Sequence, residues 1–240
     1  MANDLDRFPH PHLTVDVVLL TLRDGVLHTV LVRRDQAPYA GRWVLPGGFV
    51  HLKDTLDAAA ARVLETKVGL RQVFVEQLYT FGTLDRDPRA RVVSVGYYAL
   101  VHERLLAAVV APGLVNARVV VPWAGERGGK VALHGPDGAR LSIGFDHETI
   151  VGMAVQRLRG KIDYAPVGFE LLPRDFTLAD LQRVHEAVLD RRFNKDSFRR
   201  RLLASGQLRA TGRREIDVGH RPAELYRFRR ERTSGAQRGN

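Results

Sequence analysis

Gly47-Gly48-Phe49-Val50-His51-Leu52-Lys53-Asp54, leading to Arg62-Val63-Leu64-Glu65-Thr66-Lys67-Val68-Gly69-Leu70, carries the most specific pattern in the chain. Pro46 cannot donate to a sheet ladder, and paired glycines permit backbone conformations closed to other residues. A short strand ending in a tight turn is therefore expected. Its backbone amides would be free to meet a phosphate. Behind it, Leu56, Ala59, Ala60, Val63 and Leu64 recur at three- and four-residue spacing. That stripe predicts a helix over 55–68, stopped by Gly69.

On the N-terminal side, Leu13 to Leu22 is rich in Val, Thr and Leu and reads as a strand. Asp24-Gly25 is a hairpin turn signal before a returning strand, Val26 to Arg33. On the C-terminal side, strands are expected at Phe74 to Phe81, Arg91 to Val101 and Ala117 to Val121. A charged loop from Thr83 to Arg89 separates the first two. Asp146 is placed to cap a helix from His147 to about Lys161, with Ile150, Val151, Ala154 and Leu158 as its apolar stripe. Strands interleaved with two helices over 10–162 give a mixed α/β (α+β) sandwich. Gly160 to Gly168 then reads as a linker.

Beyond it the pattern changes. Thr177 can cap a helix to about Leu189, and Asn194 a second helix, with Phe198, Leu202 and Leu203 facing in and Gly206 ending it. Leu208 to Thr211 and Leu225 to Phe228 can pair as a hairpin. Helix, helix and hairpin in this order have the plan of a small winged helix-turn-helix domain. From Pro173 to Asn240 the chain holds 17 Lys and Arg against 9 Asp and Glu, a net +8 of the total +10. Such asymmetry marks either a nucleic-acid-binding region or a solvated basic tail. Three consecutive arginines, Arg199-Arg200-Arg201, sweep about 200° of a helix wheel, so at least one faces outward. Candidate DNA contacts are Asn194, Lys195, Arg199, Arg200 and Arg201 on the second helix, with Arg213, Arg214, His220 and Arg221 in or beside the hairpin.

The 240 residues are 45% hydrophobic with no cysteine, which suits a globular protein without disulfides or thiolate metal sites. The polar start of the chain is not a signal peptide. The most apolar window, Leu105 to Val115, is broken by Pro112 and too short to span a bilayer. A cytoplasmic protein without membrane attachment is expected.

The glycine turn and its helix resemble the Nudix box, Gly, five residues, Glu, seven residues, then Arg-Glu-U-x-Glu-Glu-x-Gly-U, with U aliphatic. Gly48, Arg62, Leu64, Gly69 and Leu70 keep the frame, and Asp54 replaces the first Glu. The three later Glu positions are Val63, Thr66 and Lys67. In the hydrolases these glutamates hold divalent cations and help activate water. Hard cations need oxygen ligands, and here the formal charge moves from −3 to +1. No catalytic residue and no metal ligand is therefore assigned, and no cofactor is required. Arg62 either meets a ligand phosphate or braces the loop by ion pairing. Lys67 either contacts phosphate or is a solvent-exposed helix lysine.

Further stretches resemble one family, the Nudix-related transcriptional regulators of NAD metabolism. They are Arg86-Asp87-Pro88-Arg89, Phe169-Glu170-Leu171-Leu172-Pro173, Ser197-Phe198-Arg199-Arg200 and His220-Arg221-Pro222-Ala223. The resemblance implies a Nudix-like effector domain over 1–165 and a winged-helix domain over 166–240. It implies a homodimeric repressor of genes for NAD biosynthesis or salvage, bound to a palindromic double-stranded DNA operator. ADP-ribose, or a related nucleotide such as NAD, would be the effector. The implied effector residues are Arg42, Gly47, Gly48, Phe49, Arg62, Lys67, Arg86 and Arg89. Two other readings remain: an active ADP-ribose pyrophosphatase with a basic appendage, and a regulator of sugar catabolism.

Overall fold

The structure is a computed structural model that describes residues 8–107, 112–216, 219 and 221–229. Its main sheet has eight strands. Six run in the order β5 (Glu76–Phe81), β6 (Val92–Leu100), β1 (His12–Arg23), β2 (Val26–Arg33), β7 (Leu114–Val120) and β8 (Ala132–His134). The short β3 (Trp43–Val44) pairs with β2, and β4 (Gly47–Phe49) pairs with β1. The β1–β6 pair is parallel and the remaining pairs are antiparallel. The β1–β2 hairpin closes at Asp24 and Gly25, both at positive φ (50° and 75°), as the sequence predicts.

Alternation along β1 builds the two layers. Val15, Val17 and Leu19 pack with Ala59, Ala60 and Val63 of α1 (Leu56–Val63) on one face. Val18 and Leu20 pack with Ile150, Val151, Ala154 and Leu158 of α3 (His147–Lys161) on the other. A short α2 (Glu103–Ala107), not foreseen from the sequence, places Leu106 in the α1 layer.

Two local expectations are corrected. The helix predicted over 55–68 is α-helical only to Val63 and widens into a π-helical turn over Leu64–Val68, closed by Gly69 at φ 76°. Gly47 and Gly48 do not form a tight turn. They lie inside β4, opposite Asp16 and Val15 of β1, and neither has positive φ. Close approach explains the pair instead. A Cβ on Gly47 would sit 2.2 Å from Asp16 Oδ1, and one on Gly48 would sit 3.2 Å from Val63 Cγ2.

The C-terminal segment contains α4 (Leu178–Leu189), α5 (Lys195–Ala204) and the β9–β10 hairpin (Leu208–Arg214, Glu224–Phe228). Thr177 and Asp180 form a capping box on α4, and Asn194 caps α5 through Ser197 N–H. Phe176, Leu181, Phe198, Leu202 and Tyr226 make a small core of their own. The stretch read as a linker is packed. Ile162 is buried, a 3₁₀ helix spans Pro166–Leu171, and Gly168 lies against Ile162 and Val184. Val184 and Val188 of α4 join the core formed by the sheet and α3. Among the described residues no helix is long and apolar enough to cross a membrane.

Candidate functional site

Two surfaces carry the candidate residues. The first is the outer side of β4 and the adjoining end of α1. Val17 N–H donates to Pro46 O and Val50 N–H to Leu13 O, each at 2.9 Å. With Val15 opposite Gly48, this alternation turns the N–H and C=O groups of Gly47 and Phe49 away from β1. The outward Phe49 carbonyl accepts from Arg62 Nη2 at 2.9 Å, and the same guanidinium donates to Asp54 Oδ2 at 2.6 and 3.1 Å. Arg62 thus braces the loop. Its hydrogen bond holds the Asp54 carboxyl below the usual carboxylate range. The amides of Gly47 and Phe49 remain the outward donors.

Around them, Phe49 is exposed, with His12 edge-on at 5.9 Å and the Arg89 guanidinium 5.9 Å from its ring. Arg89 is also bidentate on Asp87, at 3.0 and 2.7 Å, which keeps that carboxyl ionised to lower pH. Lys67 is exposed on the π-helical turn, one turn beyond Val63, and makes no ion pair among the described residues. Arg42 is exposed, with its guanidinium 5.1 Å from the Tyr39 ring, which in turn packs edge-on against Phe145 beside His147.

Arg86 corrects its expectation as an effector contact. It is buried beneath β4 and donates to Asp146 at 2.8 and 3.0 Å and to Asp16 at 3.3 Å. Burial works against its charge, but the hydrogen bond to Asp146 and the charges of both aspartates raise its pKa. Asp16 also accepts from Ser94 Oγ at 2.6 Å and faces His147 Nε2 at 3.6 Å. Leu45 N–H donates to His147 Nδ1 at 2.8 Å, which fixes that nitrogen as the acceptor, and burial holds the ring pKa below its ordinary value. Asp146 precedes α3 but does not cap it by side chain; its carboxylate is committed to Arg86. Sequence reasoning does not find Asp16 and His147, which the fold brings together in this buried cluster. The available signal was an acid set within an otherwise apolar strand, Val15-Asp16-Val17-Val18.

The Nudix box geometry does not fit a divalent cation. Val63 is buried against Gly48, and Thr66 Oγ1 donates to the Arg62 carbonyl at 2.8 Å. Nearby carboxylates are committed: Asp54 to Arg62, Asp57 to Tyr97, Glu65 to Arg71 and Asp87 to Arg89. Among the described residues no group of three or more His, Cys, Asp or Glu side chains could hold a metal ion.

The second surface is α5. Phe198 and Leu202 anchor it, and Lys195, Arg199 and Arg200 are exposed. Arg201 is exposed too, but its guanidinium is already engaged. It turns back over Phe193 and Phe198 and lies 3.6 Å from Asp163, which also accepts from Arg191 at 3.3 Å. Asn194 is spent on the helix cap. In the hairpin, Arg213 and Arg227 both pair with Asp175, whose carboxyl is held low chiefly by Arg227. Arg214 donates to Pro222 O at 3.3 Å, and Arg221 is exposed. His220 lies outside the described residues.

Residues 10–124 match the family model described as NUDIX domain, and residues 168–228 match the NrtR DNA-binding winged helix domain. The chain is similar to the ADPR responsive transcriptional repressor NtrR of Acinetobacter baylyi, with 33% identity over 92% of this chain and 83% of that protein. It is also similar to the ADP-ribose pyrophosphatase of Methanocaldococcus jannaschii, with 33% identity over 36% of this chain and 48% of that protein. The structure of Shewanella oneidensis NrtR complexed with a 27mer DNA matches with TM-score 0.74 and 32% identity, covering 90% of this chain and 93% of that chain. A NUDIX domain and an NrtR-type winged helix in one chain, with a repressor relative matched over most of both lengths, place the chain in the NrtR family of transcriptional repressors.

Proposed function

We propose that the chain represses transcription by binding operator DNA through α5, and that ADP-ribose or a related NAD-derived nucleotide, bound but not hydrolysed by the NUDIX domain, weakens that binding. The observation that carries this reading is one chain holding an exposed Lys195, Arg199 and Arg200 on an anchored helix beside a Nudix box built from Val63, Thr66 and Lys67. Residues 1–165 form the effector half and 166–240 the DNA-binding half. The genes controlled are those of NAD biosynthesis or salvage. The protein works in the cytoplasm, as a homodimer on a palindromic operator, whose two-fold symmetry would set recognition helices about one DNA turn apart.

Several of these residues have distinct roles in this scheme. The outward amides of Gly47 and Phe49 meet the effector diphosphate, with Gly48 holding the strand close to α1. Phe49 and Arg89 offer a ring and a guanidinium to the rest of the nucleotide. Arg62 and Arg86 act behind this surface by fixing the Phe49 carbonyl and the Asp16–Asp146 cluster. On DNA, Arg199 and Arg200 reach the major groove while Lys195, Arg214 and Arg221 meet backbone phosphates.

A mobility-shift titration with DNA from the promoters of NAD biosynthesis genes tests the scheme. Binding that weakens with ADP-ribose, and not with sugars, is the expected result. Operator affinity that stays constant across ADP-ribose and NAD would remove the effector from it. The similarity to a pyrophosphatase keeps hydrolysis as a second reading, checked directly by metal-dependent release of AMP from ADP-ribose.

A further inference from the structure

The mismatch between the box and a metal ion has a consequence for how a diphosphate is held. A Nudix fold ordinarily meets pyrophosphate oxygens through cations held by box carboxylates. Here the three positions present a buried methyl surface, a hydroxyl donating to a backbone carbonyl, and an exposed ammonium. The surrounding acids already have partners. Asp54, Asp57, Glu65 and Asp87 are each held by Arg62, Tyr97, Arg71 and Arg89 in turn. A cation recruited to any of them would have to share the carboxylate with its present donor, and at Asp54, Glu65 and Asp87 that donor is a guanidinium whose charge repels it.

What the surface does offer suits an anion directly. Val63 packs on Gly48, so the face of the helix bearing Val63 looks onto β4. Lys67 follows four residues later on the π-helical turn that continues this helix, and it is exposed. The Gly47 and Phe49 amides point out of the same strand, away from β1. We infer that this chain binds the diphosphate of a nucleotide without a divalent cation, with the Lys67 ammonium supplying the charge that a metal supplies in the hydrolases. The inference rests on the effector reading proposed above.

The test is calorimetric titration of the full chain with ADP-ribose at fixed ionic strength, once with magnesium and once with excess EDTA. The dissociation constants are expected to agree within about twofold, a difference of ~0.4 kcal/mol. Lys67→Glu is expected to weaken binding in EDTA about tenfold or more, ~1.4 kcal/mol, because it replaces attraction by repulsion. Lys67→Met should fall between. Since Lys67 is exposed and makes no ion pair among the described residues, both variants should keep the parent's melting temperature, which separates lost binding from lost folding. Binding that disappears on chelation overturns metal independence while leaving ADP-ribose as effector. Parent-like affinity of Lys67→Glu in EDTA overturns the role of Lys67. Absence of binding with and without magnesium overturns the effector reading, and the inference with it.

Discussion

At the scale of single residues, the two glycines of the box show how a motif position can be kept for a reason other than its turn. Gly47 is required because Asp16 occupies the space a side chain would take. Gly47→Ala is therefore expected to destabilise the protein by about 1–3 kcal/mol through overpacking against a buried polar cluster. Urea unfolding followed by circular dichroism measures this, and a variant within error of the parent would mean that Asp16 can move aside. The arginine triplet divides in the same way. Alanine at Arg199 or Arg200 should weaken operator binding and reduce the slope of log K against log salt by about 1 for each phosphate that is no longer neutralised. Arg201→Ala should leave that slope unchanged, because its guanidinium is turned toward Asp163 and two phenylalanine rings. An equal loss of slope for Arg201→Ala would show that the clasp opens on DNA.

Among the elements, α3 ties the two halves together. Its first residues, with Asp146 before them, reach the buried cluster under β4. Near its other end Arg159, buried, donates to Val188 O of α4 at 2.8 Å, to Trp123 O at 3.2 Å and to Gly125 O at 3.0 Å. Arg159→Leu would strand those carbonyls, and a loss of ~2 kcal/mol or more is expected in denaturant unfolding, since each unsatisfied buried group costs roughly 1–3 kcal/mol. The same helix carries a pH dependence. Burial depresses the pKa of His147, and also that of His185 on α4. As pH falls, the unfolded chain binds protons on these rings before the folded chain does. Their contribution is complete above the unfolded value of ~6.5 and is lost progressively below it. His147→Asn keeps an acceptor for Leu45 N–H without a titrating ring. Its stability should therefore fall less than the parent's between about pH 7.5 and about pH 5.5.

For the whole molecule, a homodimer is expected in sedimentation equilibrium at the concentrations used for operator binding, and a monomer would require two copies to meet only on DNA. The chain order was largely legible because periodicity and caps are local. The β1–β2 hairpin, the amphipathic stripe of α1, the Thr177 and Asn194 caps and the Phe198–Leu202 anchor can each be read from a few neighbouring residues. The loss of box carboxylates is likewise a matter of residue type, as is the concentration of positive charge after Pro173. Partners distant in sequence were not legible. Arg86 reads as an exposed cation because nothing beside it in the chain announces Asp16 or Asp146, and the Asp163 beside the exposed Arg201 is equally distant in sequence. Gly160 to Gly168 read as a linker because its composition does not reveal the α4 surface that covers it. Most elements, and the Val63, Thr66 and Lys67 that stand where the box has glutamates, could be read from side-chain type and short-range spacing. Which acid each arginine meets appears only in the folded chain, because an ion pair is set by where the chain brings an acid in space.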